Sequence, residues 1–266
     1  MDYKKITSEV IDLVKEAAAY IREERKNFKD DKIEVKGLHN FVTHADKKAE
    51  EILVNGLKKI FPQSGFITEE GTEKRRNEVY NWIIDPIDGT TNFIHGQPPY
   101  AISVALKENN EIVIGIVYEI VLHECFHTCK GDKAYLNGDA IKVSKAEKVK
   151  DGLVATGFPY TNYEKVDAFL KTFNHFMRNS HGVRRLGSAA TDLAYVACGR
   201  FDVFYEYGLK PWDMAAGVLL VKNAGGQVKD FEDKDNYLFG GEIIASNGRL
   251  HEEFSAIIKK FMSSNS

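Results

Sequence analysis

"WIIDPIDGTTNF", residues 82–93, poses the central problem of this chain. Three apolar residues run into Asp85 and Asp88, with Pro86 after the first and Gly89 after the second. Asp-Pro and Asp-Gly are each ordinary turn dipeptides: proline presets φ, glycine permits a positive φ, and aspartate bonds its own backbone. One such signal suffices for a turn. Here two stand side by side, followed by Thr90, Thr91 and Asn92, so the second carboxylate is surplus to a turn. The stretch reads as the end of a buried strand that sets two carboxylates on one sharp bend.

The chain of 266 residues is 43% hydrophobic and 28% charged. That profile belongs to a soluble globular protein, either one large domain or two smaller units sharing a core. A formal net charge of -3 supplies no global field toward nucleic acid or anionic lipid, so neither is expected as a partner. Arg75-Arg76 and Arg184-Arg185 are too few to change this and read as solvated surface. The start, "MDYKKITSEVIDLVKEAAAYIREER", has no long apolar segment or cleavage-like site, and no apolar run approaches a membrane span. The expectation is a cytoplasmic protein.

Three cysteines do not suggest a disulfide framework. "HECFHTC", residues 123–129, alternates His123, Cys125, His127 and Cys129, which a strand would place on one face. At about 3.3 Å per residue the four span roughly 20 Å, too far to converge on one tetrahedral zinc. The stretch reads as a half-buried strand.

Val10, Val14, Ala17 and Ile21 recur at helical spacing and predict an amphipathic helix from about Thr7 to Phe28. A second helix is predicted from near Ala45 to Ile60, with Ala49, Leu53, Leu57 and Ile60 inward and Pro62 beyond its end. Strands at "GFIT" and "VYNWII" lead into a meander of "YAISVAL", "EIVIGIVYE" and "HECFHTC". The second half alternates: "GLVATG", "GVRRLG", "FDVFYE" and "EIIASN" as strands, with helices between and after them. Gly225-Gly226 suits a C-cap closing the helix that "WDMAAGVLLVKN" begins. The chain divides near residue 150. Residues 1–150 form an α+β half with most of the acidic candidates, and residues 151–266 an α/β half with Asp213.

Three more acidic sites share the setting of the opening stretch. Glu69 and Glu70 end the strand "FIT", Asp213 starts a helix in "PWDMAAG", and Asp46 starts another in "FVTHAD". Taken singly, these are helix N-caps, first-turn acids or a solvated loop pair. Together they put carboxylates at strand ends and helix starts, where α/β folds carry sites. Like charges ~4 Å apart repel by about 4 kcal/mol at an effective dielectric near 20, so such a cluster shares protons or holds hard cations. Oxygen donors without nearby histidine or cysteine point to Mg²⁺ or Mn²⁺ rather than Zn²⁺.

"WIIDPIDGTTNF", "ITEEG" and "LKPWDMAAG", with "VKGLHNFVTHAD", "RRLGSAA" and "FYEYG" in the same order and spacing, resemble the inositol monophosphatase family of Mg²⁺-dependent, lithium-sensitive phosphatases. The resemblance covers nearly the whole chain. It implies a five-layered αβαβα sandwich, of the type shared with fructose-1,6-bisphosphatase, and a homodimer. It also implies two or three Mg²⁺ per site, with Mn²⁺ as an alternative. Glu69, Asp85 and the main-chain oxygen of Ile87 would hold the first ion; Asp85, Asp88 and Asp213 would hold the second. Gly89 and Thr90 would bind phosphate at a helix N-terminus. Thr90 would hold the attacking water, with Glu69 beside it and Asp46 orienting the threonine hydroxyl. Gly187, Ser188 and Ala189 match the stretch lining the sugar or inositol pocket, and Glu206 matches a position contacting substrate hydroxyls. Ser188 stands where the family often has threonine. Glu70 and Lys36 are further candidates, and Lys36 reads equally well as a surface lysine.

The expected activity is Mg²⁺-dependent hydrolysis of a small-molecule phosphate monoester, inositol 1-phosphate or a similar polyol phosphate. The alternatives within the superfamily are fructose 1,6-bisphosphate, adenosine 3',5'-bisphosphate and histidinol phosphate. The adenosine branch usually shows Lys-Glu where this chain has Thr91-Asn92. A regulatory binding protein that keeps the fold is the alternative of another class.

Overall fold

The structure is a computed structural model that describes residues 1–28, 33–37, 40–159 and 163–262. Helices α1 (Tyr3–Lys26) and α2 (His44–Ile60) flank a hairpin of β1 (Ile33–Gly37) and β2 (Asn40–Thr43). A seven-stranded sheet then follows the chain in order: β3 (Gly65–Thr68), β4 (Tyr80–Asp88), β5 (Ala101–Glu108), β6 (Glu111–Glu119), β7 (Glu124–Cys129), β8 (Tyr135–Leu136) and β9 (Asp139–Ala140). Only the β3–β4 pair in it is parallel. The short helix α3 (Thr90–His95) leaves the end of β4.

The second sheet uses β10 (Leu153–Thr156), β11 (Gly182–Arg184), β12 (Val203–Tyr207), β13 (Gln227–Lys229) and β14 (Glu242–Ser246), in the order β11-β10-β12-β14-β13. Its helices are α4 (Val166–Asn179), α5 (Ala189–Ala197), α6 (Pro211–Asn223), α7 (Tyr237–Gly240) and α8 (His251–Met262).

Side-chain periodicity sorts these elements into five layers. Val10, Val14, Ala17 and Ile21 of α1 and Ala49, Leu53 and Leu57 of α2 bury against Trp82, Ile84, Ile102 and Val104. The opposite face of that sheet offers Ile83, Ala101, Ala105 and Val117 to Leu193 and Ala194 of α5 and Met214 and Val218 of α6. The same two helices pack on Phe204, Ile243 and Ala245 of the second sheet. Its outer face carries Val154, Val203, Tyr205 and Ile244, covered by Phe169 and Phe176 of α4 and Phe254 and Ile258 of α8. The result is the αβαβα sandwich expected.

Helix α6 is buried from Met214 through Val221, as a helix sandwiched between two sheets must be. It rests directly on β6. A Cβ at Gly115 would stand 2.7 Å from the Ala216 carbonyl oxygen, so this position admits only glycine. That close seat brings the N-terminus of α6, and Asp213 with it, to the end of β4.

Cys125 and Cys129 lie in the core beneath α1, with burial pushing the Cys125 thiol up to about 11. His123 does not share their strand; it precedes β7 with φ 57, in the left-handed region. Among the described residues no helix is long and apolar enough to cross a membrane.

Candidate active site

The opening stretch is not a turn at the end of a strand. Strand β4 continues through Asp88, and its pairing with β5 slips: Asp85 lies opposite Ser103, but Asp88 lies opposite Ala101. Three steps on β4 match two on β5, which is a β-bulge. In a regular strand, residues three apart point to opposite faces. The extra residue cancels that, so Asp85 and Asp88 both face the central helices. Ile87 points the other way, into the core under α1 and α2. Proline fits here because a bulge leaves one residue out of the ladder. Gly89 then turns the chain at φ 95, with a notional Cβ only 3.0 Å from the Gly187 carbonyl oxygen.

Asp213 arrives from α6, its carboxylate accepting the Lys210 N–H at 2.6 Å in a capping arrangement. Carboxylate oxygens of Asp85, Asp88 and Asp213 lie within 4.8 Å of one another. Glu69, just past the end of β3, joins them, its carboxyl acting on that of Asp85. Burial and the neighbouring acids hold Glu69 and Asp85 well above the ordinary carboxylate range. Burial, with the Asp88 charge, pushes Asp213 up to about 7. Burial pushes Asp88 up to about 6, against hydrogen bonds from Ser188 and the Ala190 and Ala189 amides.

Behind this cluster lies a second line of contacts. The Thr90 hydroxyl is 3.1 Å from Asp46 Oδ1 and 3.1 Å from the Ile87 carbonyl oxygen, and its single proton serves one of them at a time. Asp46 is wholly buried; its Oδ2 accepts the Thr43 N–H at 2.8 Å and the Thr43 hydroxyl at 2.5 Å. Burial raises its pKa to about 6. Glu50, one turn further along α2 and also wholly buried, accepts the N–H groups of Glu70 and Thr72 at 2.8 Å each. Sequence reasoning missed Glu50, which pins the loop that follows Glu69.

The other side of the site belongs to the second sheet. The Ser188 hydroxyl, which caps α5, donates to Asp88 Oδ2 at 2.6 Å, and the Ala190 N–H reaches the same oxygen at 2.7 Å. Gly187 and Ala189 flank this contact. Glu206 lies on β12 in the phase of Phe204, facing the central layer, and is 8% exposed. Its carboxylate covers Gly157, where a Cβ would collide with it. Arg185 is a correction. Arg184 is exposed, but Arg185 is half-buried, with its guanidinium 5.3 Å from the Phe158 ring centroid and its charge acting on Asp88 and Glu206. Strand β11 ends at Arg184, so the second arginine turns inward on the way to Gly187. The Lys36 side chain lies outside what the structure describes.

Oxygen donors alone, three of them converging, suit a hard divalent cation such as Mg²⁺. The histidines and cysteines of "HECFHTC" take no part, since the group found among the described residues is wholly aspartate.

Fold and site together define an αβαβα sandwich with an oxygen-only acidic site where the end of β4 meets the central helices. The chain belongs to the inositol monophosphatase family, whose model matches residues 2–263. It is 40% identical over 232 residues to an inositol-1-monophosphatase of Mesorhizobium japonicum, covering 87% of each chain. It is 41% identical over 216 residues to the Nus factor SuhB of Escherichia coli, covering 81% of each. Its fold matches the crystal structure of the extragenic suppressor protein suhB from Bartonella henselae with a TM-score of 0.90 and 36% identity, covering 96% of this chain and 99% of that one.

Proposed function

We propose that the chain is a Mg²⁺-dependent phosphomonoesterase acting on inositol 1-phosphate or a similar polyol phosphate. The observation that carries this reading is the bulge on β4, which turns Asp85 and Asp88 together toward Asp213. Glu69, Asp85 and the Ile87 carbonyl oxygen would hold one ion, and Asp85, Asp88 and Asp213 a second. When bound, Mg²⁺ would offset the phosphate charge, make the attacking water more acidic and stabilise the leaving oxygen.

The chain's own groups do the rest. Gly89, without a side chain, lets the phosphate approach the backbone at the start of α3. Thr90 Oγ1, steered by Asp46, orients the attacking water together with Glu69. Ser188 and the α5 amides fix Asp88 so that it does not turn away. Glu206 accepts hydroxyl hydrogens of the leaving alcohol. A homodimer belongs to the same proposal; Leu170 and Met177 on α4 are 55% and 53% exposed, one helical face seven residues apart.

A regulatory binding role is the second reading, and what favours it is the name Nus factor carried by the Escherichia coli relative. The complete acidic set favours catalysis instead. A purified-protein screen with Mg²⁺ against inositol 1-phosphate, fructose 1,6-bisphosphate, adenosine 3',5'-bisphosphate and histidinol phosphate tests the choice. Inositol 1-phosphate is expected to be hydrolysed fastest. No turnover of any of them would overturn the phosphatase reading in favour of binding.

A further inference from the structure

Strands β11, β10 and β12 lie side by side in that order and run in the same direction. Gly157 is the first residue past β10, so it stands between Glu206 on β12 and the turn from Arg185 to Ser188 that follows β11. That turn belongs to the site. The Leu186 carbonyl oxygen accepts from the Asn92 side chain at 2.8 Å, the Gly187 carbonyl oxygen faces Gly89, and the Ser188 hydroxyl holds Asp88. On the other side, Thr156 pairs with Tyr205, and one step further Gly157 comes beside Glu206.

The backbone does not require glycine at 157, whose φ is not in the left-handed region. What requires a bare Cα is Glu206. A Cβ at 157 would lie 2.0 Å from Cδ and from each carboxylate oxygen of Glu206. A strand side chain ordinarily stands roughly perpendicular to its sheet. That of Glu206 leans across the end of β10 instead, away from β14 and toward the Arg185–Ser188 turn.

We propose that Gly157 is a specificity-determining position that acts through Glu206: its bare Cα lets the Glu206 carboxylate lie over the end of β10, where it meets the hydroxyls of the leaving alcohol. The proposal deepens the phosphatase reading and rests on it. Gly157 is a positioning residue and touches no substrate. A methyl group there collides with the far end of a flexible side chain, and rotation about the Glu206 side-chain bonds relieves the collision. The fold therefore survives Gly157→Ala while the carboxylate swings away. A hydrogen bond to a charged group depends steeply on distance and direction, so the displaced carboxylate no longer serves the alcohol. The metal ligands lie on β4, α6 and the loop after β3, and keep their places.

The test measures kcat/KM at saturating Mg²⁺ on inositol 1-phosphate and on an aryl phosphate, which lacks the hydroxyls. The proteins are the wild type, Gly157→Ala, Glu206→Ala and the double variant. Gly157→Ala is expected to lower the inositol-to-aryl ratio by about tenfold, the worth of a charge-assisted hydrogen bond. In the Glu206→Ala background the same change should move the ratio by less than about twofold, because the group it displaces is gone. A general packing role would lower both substrates together and would add to the loss in Glu206→Ala. An unmoved ratio in Gly157→Ala, or an equal effect in both backgrounds, overturns the proposal. If Gly157→Ala does not fold, the double variant decides: melting like Glu206→Ala supports the contact, and failure to fold overturns it. A wild type inert on both substrates overturns the phosphatase reading itself. A Glu206→Ala ratio equal to that of the wild type overturns the Glu206 contact and the proposal with it. A ratio lowered by Glu206→Ala and unmoved by Gly157→Ala overturns only the role of Gly157.

Discussion

Glu50 and Glu70, twenty positions apart, are joined by a hydrogen bond of 2.8 Å from the Glu70 N–H to the buried Glu50 carboxylate. Its other oxygen takes the Thr72 N–H at 2.8 Å, so one side chain on α2 fixes the loop that begins with Glu69. Glu50→Gln leaves one acceptor and sets an amide N–H against a backbone N–H, a mismatch worth about 1–3 kcal/mol. The half-saturating Mg²⁺ concentration should rise about fivefold or more, while kcat at saturating Mg²⁺ changes less. A Mg²⁺ titration of the hydrolysis rate reads this directly. An unshifted midpoint would show that the loop holds Glu69 without Glu50.

Asp85→Asn should abolish turnover without unfolding the protein. Asp85 touches Glu69 and lies in the Asp88–Asp213 group, so its loss disturbs both proposed ion positions. The amide keeps the shape and removes one charge from a crowded set, where neighbours ~4 Å apart repel by about 4 kcal/mol at an effective dielectric near 20. Metal-free thermal stability should hold or rise. A variant that keeps wild-type kcat refutes the bridging role, and a large drop in metal-free Tm makes Asp85 a folding residue instead.

The metal-free protein should lose stability as pH rises from 5 to 8. Burial raises Asp88 to about 6 and Asp213 to about 7. Unfolded aspartate titrates near ~3.9. The folded state therefore holds more protons between about 4 and about 7, so stability falls with rising pH across that window and is fully present below it. Saturating Mg²⁺ should raise Tm more at pH 8 than at pH 5. Melting curves at both values, with and without Mg²⁺, check this. A metal-free Tm that climbs toward pH 8 contradicts the sign.

Thr90→Val should lower kcat by about a hundredfold or more with little change in KM, since the lost hydroxyl acts on the attacking water rather than on substrate affinity. Thr90→Ser keeps the oxygen that Asp46 holds at 3.1 Å and should retain most activity. If serine is as damaging as valine, the methyl is needed as well, and the hydroxyl alone does not account for the role of Thr90.

The helices and layers were legible because burial writes a period into the sequence: Val10, Val14, Ala17 and Ile21 sit on the face that the sheet covers. The acidic residues were legible by position and by resemblance. The bulge was not, because Asp-Pro-Ile-Asp-Gly carries turn chemistry and its register is set by Ala101 and Ser103 on another strand. Arg184 and Arg185 are alike in sequence, and only the end of β11 decides which turns inward. Glu50 did leave a signal. Asp46, Glu50, Leu53 and Leu57 share one helical face, and a carboxylate on a buried stripe calls for a partner.

Phosphate release from inositol 1-phosphate, before and after exhaustive chelation and again on adding Mg²⁺, tests the central claim most directly. Three converging aspartates with oxygen donors alone are held here to work through a hard cation. Chelation should reduce turnover to background and Mg²⁺ should restore it, while Ca²⁺, larger and looser in geometry, should occupy the site and inhibit. Turnover undiminished after chelation would contradict the account.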